Sequence, residues 1–261
     1  MSGDAAMAPG PNTTVTLSGG GVDQVPWDGD DDLNGIIGLS GVDPDDTYNA
    51  TYVTFDFTPN INFIEFNFIF ASEEYDGGIE CGFNDSFAFI LTDLVTGAVT
   101  NLAIVPGTTD PISTFTIRDL PDPPPCPDVN PSFFDKYNLT PGLMPGDPDP
   151  VASSSLIAFN GQTVPLTAQS NVVSGRTYNI KLVVADLVDD VFDIGVFLEA
   201  GSCKIGVDLG DDLTVMDDTA LCDGDTTTFD ASPGTTSTTG FEWQYFDTVS
   251  GTFQSFVPPE L

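Results

Sequence analysis

The sequence predicts an all-β protein: a β-sandwich, jelly-roll or lectin-like, with long loops, followed by a partial immunoglobulin-like sandwich. Three observations predict it. Apolar residues alternate at period two in five separate runs, the pattern of strands with one buried face. The acids are 33 Asp against 7 Glu, and Asp favours caps and turns where Glu favours helices. Gly and Pro add 26 and 21 residues, a further bias against long helices.

The strands follow in order. Val53, Phe55 and Phe57 share one face of the first, with Thr54 and Asp56 on the other. After Pro59-Asn60, Ile64, Phe66, Phe68 and Phe70 alternate with Glu65, Asn67 and Ile69. Phe87, Phe89 and Leu91 mark a third strand, Tyr178, Ile180, Leu182 and Val184 a fourth, and Ile194, Val196 and Leu198 a fifth. Shorter runs at Leu102–Val105, Thr114–Ile117 and Gln162–Leu166 fill out the sheets. No amphipathic helix longer than a turn or two is visible. Ten of the 21 prolines fall between Asp119 and Pro150, where alternation stops. That stretch reads as a long surface excursion, or as a loop overhanging a binding face. The expected boundary is a first domain over 1–204 and a second unit over 205–261, where Cys222 and Trp243 have the spacing of an immunoglobulin-like sandwich.

Composition excludes several functions. The chain carries 5 Lys and Arg against 40 Asp and Glu, a formal charge of −35, and no His. Ser-His-Asp and Cys-His catalysis and His-ligated zinc are therefore ruled out. So few cations cannot build a surface for a nucleic-acid backbone. No apolar run reaches the roughly 18 residues that span a bilayer. Twenty Phe are enough for a sizeable core, so this is not an acidic disordered tail.

Cys81, Cys126, Cys203 and Cys222 are even in number and form no CxxC pair, which suggests two disulfides and an oxidising compartment; four buried thiols is the alternative. The expected pairs are Cys81 with Cys126, pinning the proline-rich loop, and Cys203 with Cys222. Cys222 could instead pair with an immunoglobulin strand outside this chain.

Three acidic clusters are candidate cation sites. Asp30, Asp32, Asn34 and Gly35 match positions 1, 3, 5 and 6 of an EF-hand loop, but Gly41 stands where position 12 needs Glu. The reading is a loop wrapping Ca²⁺ with alternate carboxylates, or a solvated acidic turn. Glu73, Glu74 and Asp76 follow the Phe-rich strand, with Glu80 and Asp85 close behind; if the strand continues, only one of Glu73 and Glu74 faces the core. Asp186, Asp189, Asp190 and Asp193 lie between the fourth and fifth strands. Carboxylates this dense repel unless solvated, protonated or bridged by a cation, and an all-oxygen set of loose geometry suits Ca²⁺. The expected ligands are Asp30, Asp32, Glu73, Glu74, Asp85, Asp186, Asp190 and Asp193.

Phe70-Ala71-Ser72-Glu73-Glu74-Tyr75 and Phe83-Asn84-Asp85-Ser86-Phe87-Ala88-Phe89 resemble the signature of the choice-of-anchor L domain. Val105-Pro106-Gly107-Thr108, Phe159-Asn160-Gly161-Gln162-Thr163, Tyr178-Asn179-Ile180-Lys181-Leu182 and the stretch from Ala185-Asp186 to Ser202 complete the pattern over about residues 1–204. The resemblance implies a large secreted or cell-surface bacterial protein of the Bacteroidetes kind. Such proteins are tethered through varied C-terminal signals, type IX secretion tails among them, and carry immunoglobulin-like or PKD-like repeats. It also implies strands ahead of Ser2-Gly3-Asp4, so the domain is expected to be truncated N-terminally and its tether to lie in a missing C-terminal region. Ile194-Gly195 departs from the family, which more often has a small polar residue and Ala there. Ser86–Ile90 is also similar to a core strand of legume-type lectins.

The functional expectation is a non-enzymatic adhesion or binding module, Ca²⁺-stabilised, with a glycan or surface protein as partner, no nucleic acid and no membrane insertion in this segment. The alternatives are a purely structural acidic spacer and, using paired carboxylates, a glycan hydrolase.

Overall fold

The structure is a computed structural model that describes residues 1–13, 28–37, 47–143, 148–187 and 192–203, and the backbone of 244–247 and 252–255. It is an all-β sandwich of two antiparallel sheets. The first contains β1 (Thr47–Phe57), β8 (Tyr178–Leu187), β3 (Ser86–Asp93) and β4 (Val99–Asn101), in that order. The second runs β5 (Phe134–Tyr137), β6 (Gly161–Thr163), β2 (Phe63–Ser72) and β7 (Leu166–Asn171), with β9 (Ile194–Leu198) also on β2. Phe68 pairs with both Leu166 and Leu198, so β7 and β9 flank β2 on opposite sides.

The alternation seen in the sequence builds the core. Ile64, Phe66, Phe68 and Phe70 of β2 meet Phe87, Phe89 and Leu91 of β3 and Tyr178, Ile180 and Val184 of β8. Phe68 stands edge-on to Phe89 at 4.9 Å and Phe70 stacks on Phe87 at 5.1 Å; such ring pairs add about 0.5–1.5 kcal/mol each beyond area burial. β3 is buried on both faces because a short helix, α1 (Asp31–Ile37), lays Leu33 and Ile37 over Ala88, Ile90, Val183, Ala185 and Leu187.

Four expectations are corrected. Val53 and Phe55 are 62% and 46% exposed, not core, because they line an open apolar cleft beside β9. Thr114–Ile117 is a turn: Thr116 and Ile117 donate to the Ser113 carbonyl, and Thr116 Oγ1 accepts from Ser113 N–H, local bonds that compete with strand pairing. The proline-rich stretch is not all excursion, since Phe134–Tyr137 joins the second sheet and Phe134 packs on Tyr75 at 5.0 Å. Cys81–Cys126 forms as expected across 45 residues, whereas Cys203 is a free, exposed thiol and does not make the expected bond to Cys222. Cys222 lies outside the described residues, as does most of the expected immunoglobulin-like unit; its described backbone is a hairpin of β10 (Gln244–Asp247) and β11 (Thr252–Ser255).

Candidate functional site

Seven of the eight expected ligands fall in two places. Asp30 and Asp32 sit at the start of α1, where the Asp30 carboxylate accepts from the N–H groups of Asp32 and Leu33 at 3.1 Å. This is a helix N-cap, with Asp31 and Asp32 in the first turn where the helix dipole favours acids. The stretch is therefore a helix start and not the expected loop or turn. It also has its own cation: Lys181 Nζ lies 2.6 Å from both Asp30 and Asp32 and 4.8 Å from the centre of the Tyr52 ring. Burial works against the Lys181 charge, but the two carboxylates overcome it and raise the pKa.

Glu73, Glu74, Asp85, Asp186 and Asp193 gather at one end of the sandwich, each no more than 3% exposed. The sheet register brings them there. One residue beyond the Ser72–Ile194 pair, Glu73 faces Asp193; one residue beyond Ser86–Ala185, Asp85 faces Asp186. The Phe70–Phe87 stack ties these two ends together. β2 ends at Ser72 and a turn follows, so strand alternation no longer applies. Both Glu73 and Glu74 are buried, against the expectation that only one would face inward. Asp190 lies outside the described residues.

Neutral donors orient these groups. Asn49, in left-handed conformation at φ 53°, donates to Asp186 at 2.8 Å. Leu187 N–H donates to Asp85, Asp193 N–H to Glu73, and Ser2 Oγ to Asp193. Glu74 accepts from Asp85 N–H at 2.9 Å and from the buried Thr114 hydroxyl. Burial pushes the Asp193 carboxyl up to about 6, against the pull of Ser2 and the Met1 α-amino group. That amino group is itself lowered by burial, while Asp193 and Asp186 act to raise it. Among the described residues the salt bridges lie elsewhere, and no three acidic side chains are already drawn together as a metal centre would hold them. Ser2, Asn49 and Thr114 escaped the sequence reading; none carries a pattern that marks it.

Glu80 and Asp76 belong to a separate network. Glu80, fully buried, accepts from the N–H groups of Asp76, Gly77 and Gly78 and from Tyr137 Oη at 2.7 Å. It fixes the turn beside the disulfide. On the flank of the sandwich, between β1 and β9, an apolar cleft of about 390 Å³ is lined by Val53, Phe55, Phe57, Val196, Leu198 and Cys203 among others.

Sheet order and this end together define an acidic β-sandwich whose one rim is built from buried carboxylates. The chain belongs to the choice-of-anchor L domain family, whose family model matches residues 1–204. That family consists of surface-associated bacterial domains, which makes this a cell-surface or secreted protein. No curated protein and no solved structure matches the chain. No helix among the described residues is long and apolar enough to cross a membrane.

Proposed function

We propose that the domain is an extracellular binding module, stabilised by Ca²⁺, that presents its ordered loops to a glycan or a surface protein and performs no catalysis. The observation that carries this reading is the burial of five carboxylates at one end of the sandwich. Buried charges are costly unless paired or bound to a cation. Ca²⁺ accepts about six to eight oxygen ligands in loose geometry, whereas Mg²⁺ demands a near-ideal octahedron. Neutralised in this way, the loops at that end keep one shape.

The test is a glycan array and a bacterial-surface binding assay, each run in Ca²⁺ and in EDTA. Binding that is lost in EDTA and restored by Ca²⁺ supports the module. Absence of binding in both, with stability indifferent to Ca²⁺, leaves a structural acidic spacer as the function. Release of reducing ends from polysaccharides overturns the non-catalytic reading.

A further inference from the structure

We propose that the apolar cleft between β1 and β9 docks an extended segment of a partner protein, apolar along one face and basic at its ends, which adds to the outer edge of β1 as one more strand. None of the five buried carboxylates lines the cleft, and the proposal does not rest on the Ca²⁺ reading. The floor of the cleft belongs to the core: Phe66 and Phe89, edge to face at 4.9 Å, and Ile180, each no more than 7% exposed. Its walls are Val53 and Phe55 of β1 and Leu198 of β9, which are 62%, 46% and 53% exposed.

Among the described residues β1 stands at the end of the first sheet, paired with β8, and β9 pairs with β2. In an antiparallel pair every second residue turns its N–H and C=O away from the partner strand, so the outer edge of β1 presents a row of backbone donors and acceptors. Sheet edges are commonly guarded against strand addition by Pro, Lys or a bulge. Residues 52–57, Tyr-Val-Thr-Phe-Asp-Phe, contain neither Pro nor Lys, and the register shift of β1 lies earlier, between Tyr48 and Thr51. The one charge in that stretch, Asp56, is turned to the other face, where Asn179 donates to it at 2.7 Å. A strand laid beside β1 would extend the first sheet and send alternate side chains into the cleft of about 390 Å³. Backbone pairing then supplies affinity and the apolar walls supply selectivity, as in other sheets that accept a peptide strand.

Charge selects the occupant. One acidic side chain, Glu199, lines the cleft, oriented by the Asn67 amide at 2.7 Å, and the whole chain carries −35. A second copy would bring the same charge against it, and a fatty acid or an anionic lipid would bring a carboxylate or a phosphate. An apolar strand flanked by Lys or Arg complements the walls and Glu199 together.

The experiment is fluorescence anisotropy of a labelled peptide of alternating Val and Thr with Lys at both ends, titrated with the chain. The inference expects saturable binding that Val53→Lys and Phe55→Lys each weaken by about tenfold or more. Leu156→Lys, at a position 86% exposed and outside the cleft, adds the same charge and should leave binding within about twofold. Methylating every backbone nitrogen of the peptide should abolish binding, and replacing its terminal Lys by Glu should weaken it most at low salt. Thermal unfolding of each variant separates lost binding from lost folding, and either cleft variant carries the comparison should the other not fold. Equal binding to the cleft variants, or by the methylated peptide, overturns the proposal. So does binding of oleate in place of the peptide, self-association of the chain that Val53→Lys abolishes, or no binding at all.

Discussion

Glu73 and Asp193 hold each other across β2 and β9: Glu73 N–H donates to the Asp193 carbonyl at 3.0 Å, and Asp193 N–H donates to the Glu73 carboxylate at 3.0 Å. The pair extends the strand ladder by one step, and it spends backbone donors on orienting a buried carboxylate. The same device recurs on the other sheet, where Leu187 N–H orients Asp85. Each sheet therefore ends in two placed carboxyl groups, both at the same end of the sandwich.

Lys181 should matter to stability where Asp32 does not. Asp30 is 7% exposed and Asp32 65%, so Lys181→Met strands one buried carboxylate. We expect a loss of about 1–3 kcal/mol for Lys181→Met, the scale of a broken charge-assisted hydrogen bond, and under about 0.5 kcal/mol for Asp32→Asn. Urea denaturation of both variants checks this; equal effects would contradict it.

Acid stability has a definite sign at Asp93. Burial alone would raise this carboxyl, but the Arg176 guanidinium and the N–H groups of Val95 and Thr96 overcome it and hold the pKa at about 2. A carboxyl depressed in the folded state stabilises the fold above its unfolded pKa of about 3.9 and loses that contribution as pH falls toward the folded value. Asp93→Asn should flatten the fall in Tm between pH 4 and pH 2. Asp149, lowered by the Thr140 and Ala152 N–H groups against its own burial, keeps part of the slope. An unaltered slope in the variant would count against the Arg176 pair.

The Cys81–Cys126 bond closes a loop across 45 residues, for which chain entropy gives about 4 kcal/mol. Cys81→Ser with Cys126→Ser should cost about 2–4 kcal/mol in denaturant, and peptide mapping without reduction should recover Cys203 as a free thiol. A doubly substituted chain as stable as wild type would mean that β5 and the Glu80 network hold the loop unaided.

Gly195 leaves room for Phe159. A Cβ there would stand 2.5 Å from the Phe159 ring, which is fully buried and edge-on to Phe197 at 5.8 Å. Glycine at this position thus has a packing reason. Gly195→Ala should destabilise by about 1–3 kcal/mol, the range for overpacking a core, read as a drop in Tm; no drop would show that the ring can shift freely.

The strands were legible because their alternation is local and runs over whole elements. What the sheets leave uncovered was not: Val53 and Phe55 carry a core pattern, and only the assembled sandwich shows them lining an open apolar cleft beside β9. The Asp30 run shows its helix start only in the structure, because alternate acids fit a loop and a helix N-terminus equally well until Lys181 is brought across from β8. The buried end was legible as residue types but not as one place. Its contacts join Ser2 to Asp193 across 191 positions and Asn49 to Asp186 across 137, and no sequence spacing encodes such meetings.

The central claim is best tested by thermal unfolding in EDTA and in about 1 mM free Ca²⁺, with Mg²⁺ and matched NaCl as controls. A site with a Kd of about 10 μM that binds only the folded chain adds about 2.7 kcal/mol, a rise in Tm of roughly 5–10 °C for a domain of this size. The account predicts a rise of that order with Ca²⁺ and not with the controls. A rise matched by Mg²⁺ and NaCl would mean screening of the chain's net charge of −35, and would contradict it.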